Sequence, residues 1–406
     1  MYLGCLRRAI VAALYGISYL CNAMIESFFV TLPCITCLVC AMFLLIKWYG
    51  NRLPHTGWLT VFFVAATLLY LCHGFYFLHE RHFLPATNTL YVICNLLVYP
   101  LFYIYLTSLT QTRQSLSLRW VTFAIPMLMG TAVGVIYLMM SHSERAQFID
   151  GYLYRLVPVS TQGIGGWQVG LHTVSKVLFA IQVVFVLIAG WLTIKRFNHR
   201  VTLFYANTEG RTLETLRWLM MCFIATGVFS FAANILGPAS FDGAPWAVAI
   251  ASTLFSALLF MLAQIGMRHD FSATQIEEEM LKAPLDEPAD TCEENQISTE
   301  NTEEKYTELR ERIKALVVEE KLYLKPDLKV ADLSQRLSTN RRYIYEAING
   351  NMGVSFAEFI NGLRINHAKQ LMRNHPQLTM AEVAEQSGYH SLSSFYRNLK
   401  RYKDKE

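Results

Sequence analysis

The sequence lacks the short motifs on which many hydrolytic and nucleotide-dependent enzymes depend. It contains no HExxH, no GxSxG and no Walker-type glycine loop, and none of its long apolar runs holds a pair of acidic residues. Zinc proteases, serine hydrolases and P-loop enzymes need those motifs for their chemistry. We therefore do not expect an enzyme, and we identify no candidate catalytic residue, cofactor or resident metal.

Metal ligands are also missing beside the one cysteine motif. Cys34, Cys37 and Cys40 form a CxxCxxC pattern within an apolar run, and no histidine or acidic residue accompanies them. On a helix this spacing spreads the three thiols around the axis, which disfavours a metal or cluster site. Small, polarizable core residues are the better interpretation.

Charged residues are scarce in long stretches between residues 25 and 267. Runs of 18 or more apolar residues can cross a bilayer core of about 30 Å as helices. A large soluble protein would need polar faces at the helical period, which these runs lack. We predict an all-α polytopic transmembrane bundle over residues 24–270, embedded in a lipid bilayer. Its seven predicted spans are 28–46, 58–78, 90–109, 120–140, 177–194, 216–236 and 244–267.

Basic residues are distributed unevenly between the connecting loops. The even-numbered loops carry three, Arg81, Arg145 and Arg155, whereas the odd-numbered loops carry nine. Because basic loops stay in the cytoplasm, the odd loops, and everything after the seventh span, are predicted to be cytoplasmic. The nine are Lys47, Arg52, Arg113, Arg119, Lys195, Arg196, Arg200, Arg211 and Arg217.

The ends of the membrane part are less regular. Residues 1–23 have two arginines before a short apolar stretch, which fits a signal-like segment, a short extra membrane helix, or sequence upstream of a start at Met24. Residues 271–304 are predicted to form a flexible acidic linker, because residues 275–304 contain eleven acidic residues and one lysine. A cytoplasmic domain is predicted over residues 305–406.

An internal repeat occupies this last domain. The segment LKVADLSQRLSTNRRYIYEAIN begins at Leu328, and LTMAEVAEQSGYHSLSSFYRNLK begins at Leu378. Each pattern predicts a short helix, a turn of about four residues and a second helix, which is the helix-turn-helix arrangement. Between them, residues 355–373 predict a helix about 28 Å long. Major grooves on one face of DNA repeat at about 34–36 Å, so this helix could hold the two units about one DNA turn apart.

The second helix of each unit has an apolar face and a polar face. Asn340 can cap the first, and Ser391 or His390 the other. The residues expected to face the core are Ile344, Ala347, Ile348, Leu392, Phe395 and Leu399. Outward, N-terminal positions of such helices contact base edges and phosphates. The candidates for DNA contact are Arg341, Arg342, Tyr345, Glu346, Ser391, Ser393, Tyr396, Arg397 and Lys400.

These segments resemble the DNA-binding domain of AraC/XylS-type transcription regulators. The matching stretches are YLKPDLKVADLSQRLSTNRRYIYEAIN, FAEFINGLRINHAKQLM and LTMAEVAEQSGYHSLSSFYRNLKRY. The resemblance implies sequence-specific binding to double-stranded DNA, with both second helices in the major groove. It places recognition at Arg342, Tyr345, Glu346, Ser393, Tyr396 and Arg397. The family often has glycine in the first turn, where this chain has Ser338 and Thr339.

Polar residues within the predicted spans are candidates for binding a signal ligand. They are His73, Asn95, Lys176, Gln182 and Asn234, with His172 close to Lys176. Such amides also serve as interhelical contacts, and both interpretations stay open.

Together these patterns predict a transcription regulator in the bacterial inner membrane, with a sensing membrane domain and a DNA-binding domain in the cytoplasm. Because a flexible linker transmits rigid-body motion poorly, control through a homodimer or through local concentration is expected. The alternative is a transporter or membrane enzyme with a regulatory helix-turn-helix tail.

Overall fold

The computed structural model describes residues 2–110, 116–158, 163–209, 211–214, 245–268, 299–350 and 353–403, and scattered residues between 216 and 227. Within this part of the chain the regular elements are helices, and an isolated antiparallel bridge joins Tyr205 to Lys329. The all-α prediction is therefore confirmed. The chain divides into two compact units. One contains Met1–Ile194 and Glu214–Asp270, and the other contains Lys195–Leu213 and Phe271–Glu406.

The first unit is built from long apolar helices. A capping box at Ser141, closed by Glu144, starts a short helix that ends in a π-helical turn, Ile149–Leu153. The helices are α1 (Tyr2–Asn51), α2 (Pro54–Phe77), α3 (Leu84–Thr110), α4 (Leu116–Met139), α5 (His142–Phe148), α6 (Gly163–Phe204, which continues into the second unit) and α7 (Pro245–Arg268).

Six helices in the described part of the chain are long and apolar enough to cross a membrane. They coincide with six of the seven predicted runs. The remaining run, 216–236, and its candidate Asn234 lie largely outside the described residues. The six candidate spans are Ser27–Asn51, Pro54–Phe77, Leu84–Thr110, Thr122–Met139, Gly163–Phe204 and Ala249–Arg268.

Two helices extend well beyond the apolar runs that predicted them. Helix α1 has 50 residues and α6 has 42, whereas the predicted runs were 28–46 and 177–194. Hydropathy marks only the apolar part of a helix. Residues 191–209 contain no glycine or proline. The sequence therefore has no helix-breaking residue directly after the apolar run of α6.

The second unit contains six α-helices and a short 3-10 helix, Leu322–Leu324, in its described part, besides the end of α6. Helix α8 begins at Thr299, within the segment expected to be linker; residues 271–298 lie outside the described residues. The helices are α8 (Thr299–Glu319), α9 (Val330–Leu337), α10 (Arg341–Asn349), α11 (Phe356–Asn374), α12 (Met380–Gln386) and α13 (Leu392–Lys403).

Helix α11 connects two small apolar cores. Its first half contributes Phe356 and Ile360 to a core with α8, α9 and α10. Its second half contributes Ile365 and Ala368 to a core with α12 and α13. A capping box at Ser355 starts the helix, and its 19 residues make it about 28 Å long. One continuous helix therefore fixes the spacing of the two cores.

Candidate nucleic-acid interface

Helices α9 and α10 form the first helix-turn-helix unit. The side chain of Asn340 accepts a hydrogen bond from the amide of Arg342 at 2.9 Å and so caps α10, as expected. Ile344, Ala347 and Ile348 are buried against the first core, which confirms the predicted inward face. The opposite face of α10 is consequently presented to solvent.

The polar face of α10 contains all four residues predicted there. Arg341, Tyr345 and Glu346 are half-buried, and the side chain of Arg342 is 80% exposed. The guanidinium of Arg342 donates to Glu346 at 2.9 Å, and the hydroxyl of Tyr306 on α8 also donates to Glu346. The hydrogen bond from Tyr306, followed by the smaller effect of the one from Arg342, lowers the pKa of Glu346 below its ordinary value. Glu346 is therefore a charged acceptor that Tyr306 and Arg342 already occupy.

Helices α12 and α13 form the second unit, and its turn needs glycine. Gly388 has a φ of +80°, and a Cβ there would lie 2.7 Å from the carbonyl oxygen of Leu324. Ser391 caps α13 by accepting from the amide of Ser394 at 3.1 Å, which decides between the two predicted caps. Phe395 is buried in the second core and Leu399 packs against it, as predicted for the inward face of α13.

One predicted core position of α13 is wrong. Leu392 is 39% exposed. It occupies the first position of α13, directly after the cap Ser391, where the chain has only just left the turn. A residue at this position lies at the edge of the core. The apolar nature of Leu392 was therefore not sufficient to predict that it is buried.

The polar face of α13 contains the other five predicted residues. Ser393, Tyr396, Arg397 and Lys400 are exposed, and Ser391 is half-buried. Hydroxyl and guanidinium groups at such positions bind phosphate oxygens and base edges. All nine residues predicted for DNA contact thus lie on or at the start of α10 and α13, and none of them is buried.

Sequence reasoning missed two features of the helix-turn-helix domain. The first is Arg364 on α11, which is 1% exposed and donates to the carbonyls of Tyr323, Lys325 and Pro326 at 2.7, 2.8 and 3.1 Å. Burial lowers the pKa of this guanidinium to about 10. It joins α11 to the segment before α9, and its position between Leu363 and Ile365 was the available signal.

The second missed feature is a neighbour from another part of the chain. The carboxylate of Glu209 accepts hydrogen bonds from the hydroxyls of Ser391 and Ser393 at 2.6 and 3.2 Å. Phe204 stacks on Tyr345, with ring centroids 6.1 Å apart. The signal in the sequence was that Glu209 is one of only two acidic residues, with Glu214, in the basic segment 195–215.

The described ligand candidates in the first unit have different surroundings. His73 stacks on Tyr91 at 5.2 Å, the ammonium of Lys176 lies 5.0 Å from the ring centre of Tyr152, and Asn95 is half-buried. Gln182 has a buried side-chain oxygen without a hydrogen-bond partner in the described part of the chain. A ligand site formed by these residues therefore stays a prediction.

A buried polar cluster lies near Lys176 instead. The amide of Asn88 contacts the hydroxyl of Tyr137 at 2.7 Å and Nε2 of His172 at 3.0 Å. Nδ1 of His172 lies 2.9 Å from the carbonyl of Gln168. Asn88, Tyr137, His172 and Gln168 are each at most 8% exposed. The cluster joins α3, α4 and α6, and of its members only His172 was noted from the sequence.

Two helix-turn-helix units on one connecting helix define a DNA-binding module of the kind used by transcription regulators. A family model described as Helix-turn-helix domain matches residues 333–405. That part of the chain is an AraC-type helix-turn-helix domain, and it supports a role in DNA-binding transcription regulation.

The relatives point the same way. An uncharacterized HTH-type transcriptional regulator of Staphylococcus aureus (strain MSSA476) is 31% identical over 81 residues, which is 20% of this chain and 11% of that protein. The Msm operon regulatory protein of Streptococcus mutans serotype c is 28% identical over 75 residues, which is 18% of this chain and 27% of that protein. The chain thus matches about a tenth and about a quarter of their lengths. No solved structure matches the chain.

Proposed function

We propose that the protein is a membrane-bound, sequence-specific transcription regulator whose helix-turn-helix domain contacts two successive major grooves. The observation that carries the proposal is the pairing of α10 and α13 on the single helix α11, in a region that matches a helix-turn-helix family. A rigid connector of about 28 Å suits two recognition helices that enter grooves about 34–36 Å apart. Arg342 and Arg397 are the basic residues available for guanine edges or phosphates.

A membrane location is supported by the surfaces of the long helices. Large apolar side chains are exposed along them, including Leu138 at 80%, Ile181 at 60% and Ile188 at 57%. A soluble bundle would cover such residues, whereas lipid tails solvate them at no cost. The described helices also meet the length requirement for spanning a bilayer.

The proposed orientation places the recognition helices in the bacterial cytoplasm. The count of basic residues in the loops supports it. It is also supported by the grouping of Lys195–Leu213, the segment after the fifth predicted span, with the C-terminal domain in one compact unit. Both belong on the same side of the membrane under this topology.

The membrane unit is proposed to sense a signal through its buried polar groups. Hydrogen-bonded polar residues inside a membrane bundle are costly to bury and often mark functional sites. The cluster of Asn88, Tyr137, Gln168 and His172 joins three helices, so a ligand that competes for its hydrogen bonds would change their packing. Pairing of two copies through this unit stays a prediction.

Genome-wide occupancy of the tagged full-length protein tests the proposal. We expect discrete peaks that share a sequence motif in two parts separated by about one helical turn. An absence of peaks, together with a membrane flux or reaction that depends on the protein, would favour the transporter or membrane enzyme with a regulatory tail.

Removing the two exposed arginines should weaken specific binding. For Arg342→Ala combined with Arg397→Ala, we expect the affinity for the most enriched genomic fragment to fall at least about tenfold, because each arginine that contacts DNA contributes about 1–3 kcal/mol. The salt dependence of binding should also become shallower. The measurement is a titration of the full chain in lipid nanodiscs. Lys314→Ala is the control, since it removes a partly exposed charge of α8 that pairs with Glu311 at 3.2 Å. Equal binding by all three proteins would contradict the assignment.

A further inference from the structure

The end of α6 and the segment after it, residues 204–209 and Arg211, contact the helix-turn-helix domain within the same compact unit. The amide of Ala206 donates to the carbonyl of Leu328 at 3.1 Å, and the side chain of Asn361 donates to the carbonyl of Ala206 at 3.1 Å. Ala206 is 2% exposed and Asn361 is 6% exposed. Both backbone groups of Ala206 are thus satisfied by the domain, as in a specific docking contact.

The acidic end of this segment lies at the start of the second recognition helix. The two oxygens of the Glu209 carboxylate accept from the hydroxyls of Ser391 and Ser393. The N-terminus of a helix carries a partial positive charge and favours anions. Hydroxyls and helix N-termini are also the groups by which DNA-binding proteins hold phosphates. Glu209 therefore occupies a place that suits a DNA phosphate.

The segment also touches the first recognition helix and is held at its far end. Phe204 stacks on Tyr345 of α10, with the ring planes 19° apart. Arg211 reaches Asp327 at 3.5 Å, and His390 contacts the other oxygen of that carboxylate at 2.8 Å. Burial raises the pKa of Asp327, but His390 and Arg211 outweigh it and lower the pKa below its ordinary value. Asp327 thus stays charged and paired.

We propose that residues 204–209 are a built-in competitor of DNA, with Glu209 taking the position of a phosphate at α13 and Phe204 covering Tyr345. This inference rests on the proposed function and adds its regulation. The docked segment contacts side chains of both units that a DNA duplex would also contact. The protein therefore binds DNA only when the segment has dissociated from the domain. The apparent affinity for DNA is then reduced by the fraction of molecules that are undocked.

The segment continues directly from the membrane helix α6, which offers a way to regulate the competition. Helix α6 ends at Phe204 without a break, and its earlier part contains Gln168 and His172 of the buried polar cluster. A change of packing around that cluster would act on the helix from which the competitor extends. The predicted linker would then not need to carry the signal.

Two variants that undock the segment in different ways test the proposal. Glu209→Gln removes the charge held by the two serines. Ala206→Gln leaves the charge unchanged but places a larger side chain at a buried contact. Glu214→Gln is the matched control, because it removes an acidic charge from the same connection, where the carboxylate pairs with Arg217 at 2.7 Å. All are measured as full chains in lipid nanodiscs against the most enriched genomic fragment.

We expect Glu209→Gln and Ala206→Gln each to bind DNA about fivefold more tightly than the wild type, through a larger undocked fraction. Glu214→Gln should stay within about twofold of the wild type, because the contacts of Glu209 and Ala206 with the domain are retained. In hydrogen exchange, peptides covering 204–211 should exchange faster in both variants, and faster in the wild type once DNA is added.

The outcomes separate this inference from the proposed function. If wild type and variants bind DNA equally, or if Glu214→Gln gains as much as Glu209→Gln, the competitor is overturned and the regulator stands. Unchanged protection of 204–211 on addition of DNA also overturns it. If no protein binds any genomic fragment, the proposed function fails and the competitor fails with it.

Discussion

Arg364 shows how much of the C-terminal unit depends on one residue. Its guanidinium satisfies three backbone carbonyls between α8 and α9, and it lies 5.5 Å from the ring centre of Tyr389 in the second core. A lysine ammonium is more compact than this planar fork and cannot reach three carbonyls in the same way. The residue therefore links the two helix-turn-helix units.

We expect Arg364→Met to destabilise the C-terminal unit by about 3 kcal/mol, because the carbonyls of Tyr323 and Pro326 would lose the Arg364 donor and that of Lys325 would keep only the amide of Leu328. The measurement is hydrogen exchange of α11 amides in the full chain as denaturant is raised. Arg373→Met is the control, since Arg373 is exposed on the same helix. Equal protection in the two variants would show that the buried hydrogen bonds add nothing.

Single residues were predicted unevenly, for a physical reason. The outward positions of α10 and α13 followed from helical periodicity, because a short amphipathic helix with an apolar face at i, i+3 and i+4 has only one remaining side. Arg364 and Glu209 could not be found in this way. Their roles depend on hydrogen bonds to residues 41 and 182 positions away in sequence, and periodicity contains no information on such contacts.

Turns are the elements in which the two helix-turn-helix units differ. Both need a left-handed residue after the first helix, and the chain uses Ser338 (φ +48°) in the first and Gly388 (φ +80°) in the second. An L-residue costs about 1–2 kcal/mol in this conformation. Glycine costs about 0.5–1 kcal/mol of chain entropy on folding, so the first turn retains a small net strain.

Exchanging the residue types should therefore have opposite effects. We expect Ser338→Gly to stabilise the unit by about 0.5 kcal/mol, the difference between those two costs. Gly388→Ala should destabilise it by about 2 kcal/mol or more, because its Cβ would approach the backbone of Leu324 as well as adopt a strained φ. Pulse proteolysis of the C-terminal unit in increasing urea measures both. A stabilising Gly388→Ala would contradict the turn geometry.

Element boundaries were harder to predict than element types. Long apolar runs identified six helices correctly, but hydropathy could not show that α6 continues past its run to Phe204. Helix α8 was missed because acidic residues dominate its start. Its apolar positions Tyr306, Leu309, Ile313 and Val317 recur at helical spacing, and they pack on the first core. A periodicity search that ignored charge would have found it.

At the scale of the whole molecule, the proposed function depends on which side of the membrane each loop occupies. The basic residues predict that the loop after α4 lies outside and that the segment after residue 194 lies inside. This assignment is independent of the chemistry of the recognition helices. It can therefore be wrong even if every contact within the C-terminal unit is right.

Cysteine labelling of two exposed positions tests that assignment. A membrane-impermeant maleimide should label Ser143→Cys in intact cells, and should label His199→Cys only after the inner membrane is permeabilised. Both side chains are exposed, so access to the thiol depends on the side of the membrane. The parent protein, with its nine native cysteines, gives the background. The reverse pattern would put the helix-turn-helix domain across the membrane from the chromosome. No recognition helix could then reach DNA, and the proposed function would fail whatever its side chains are able to bind.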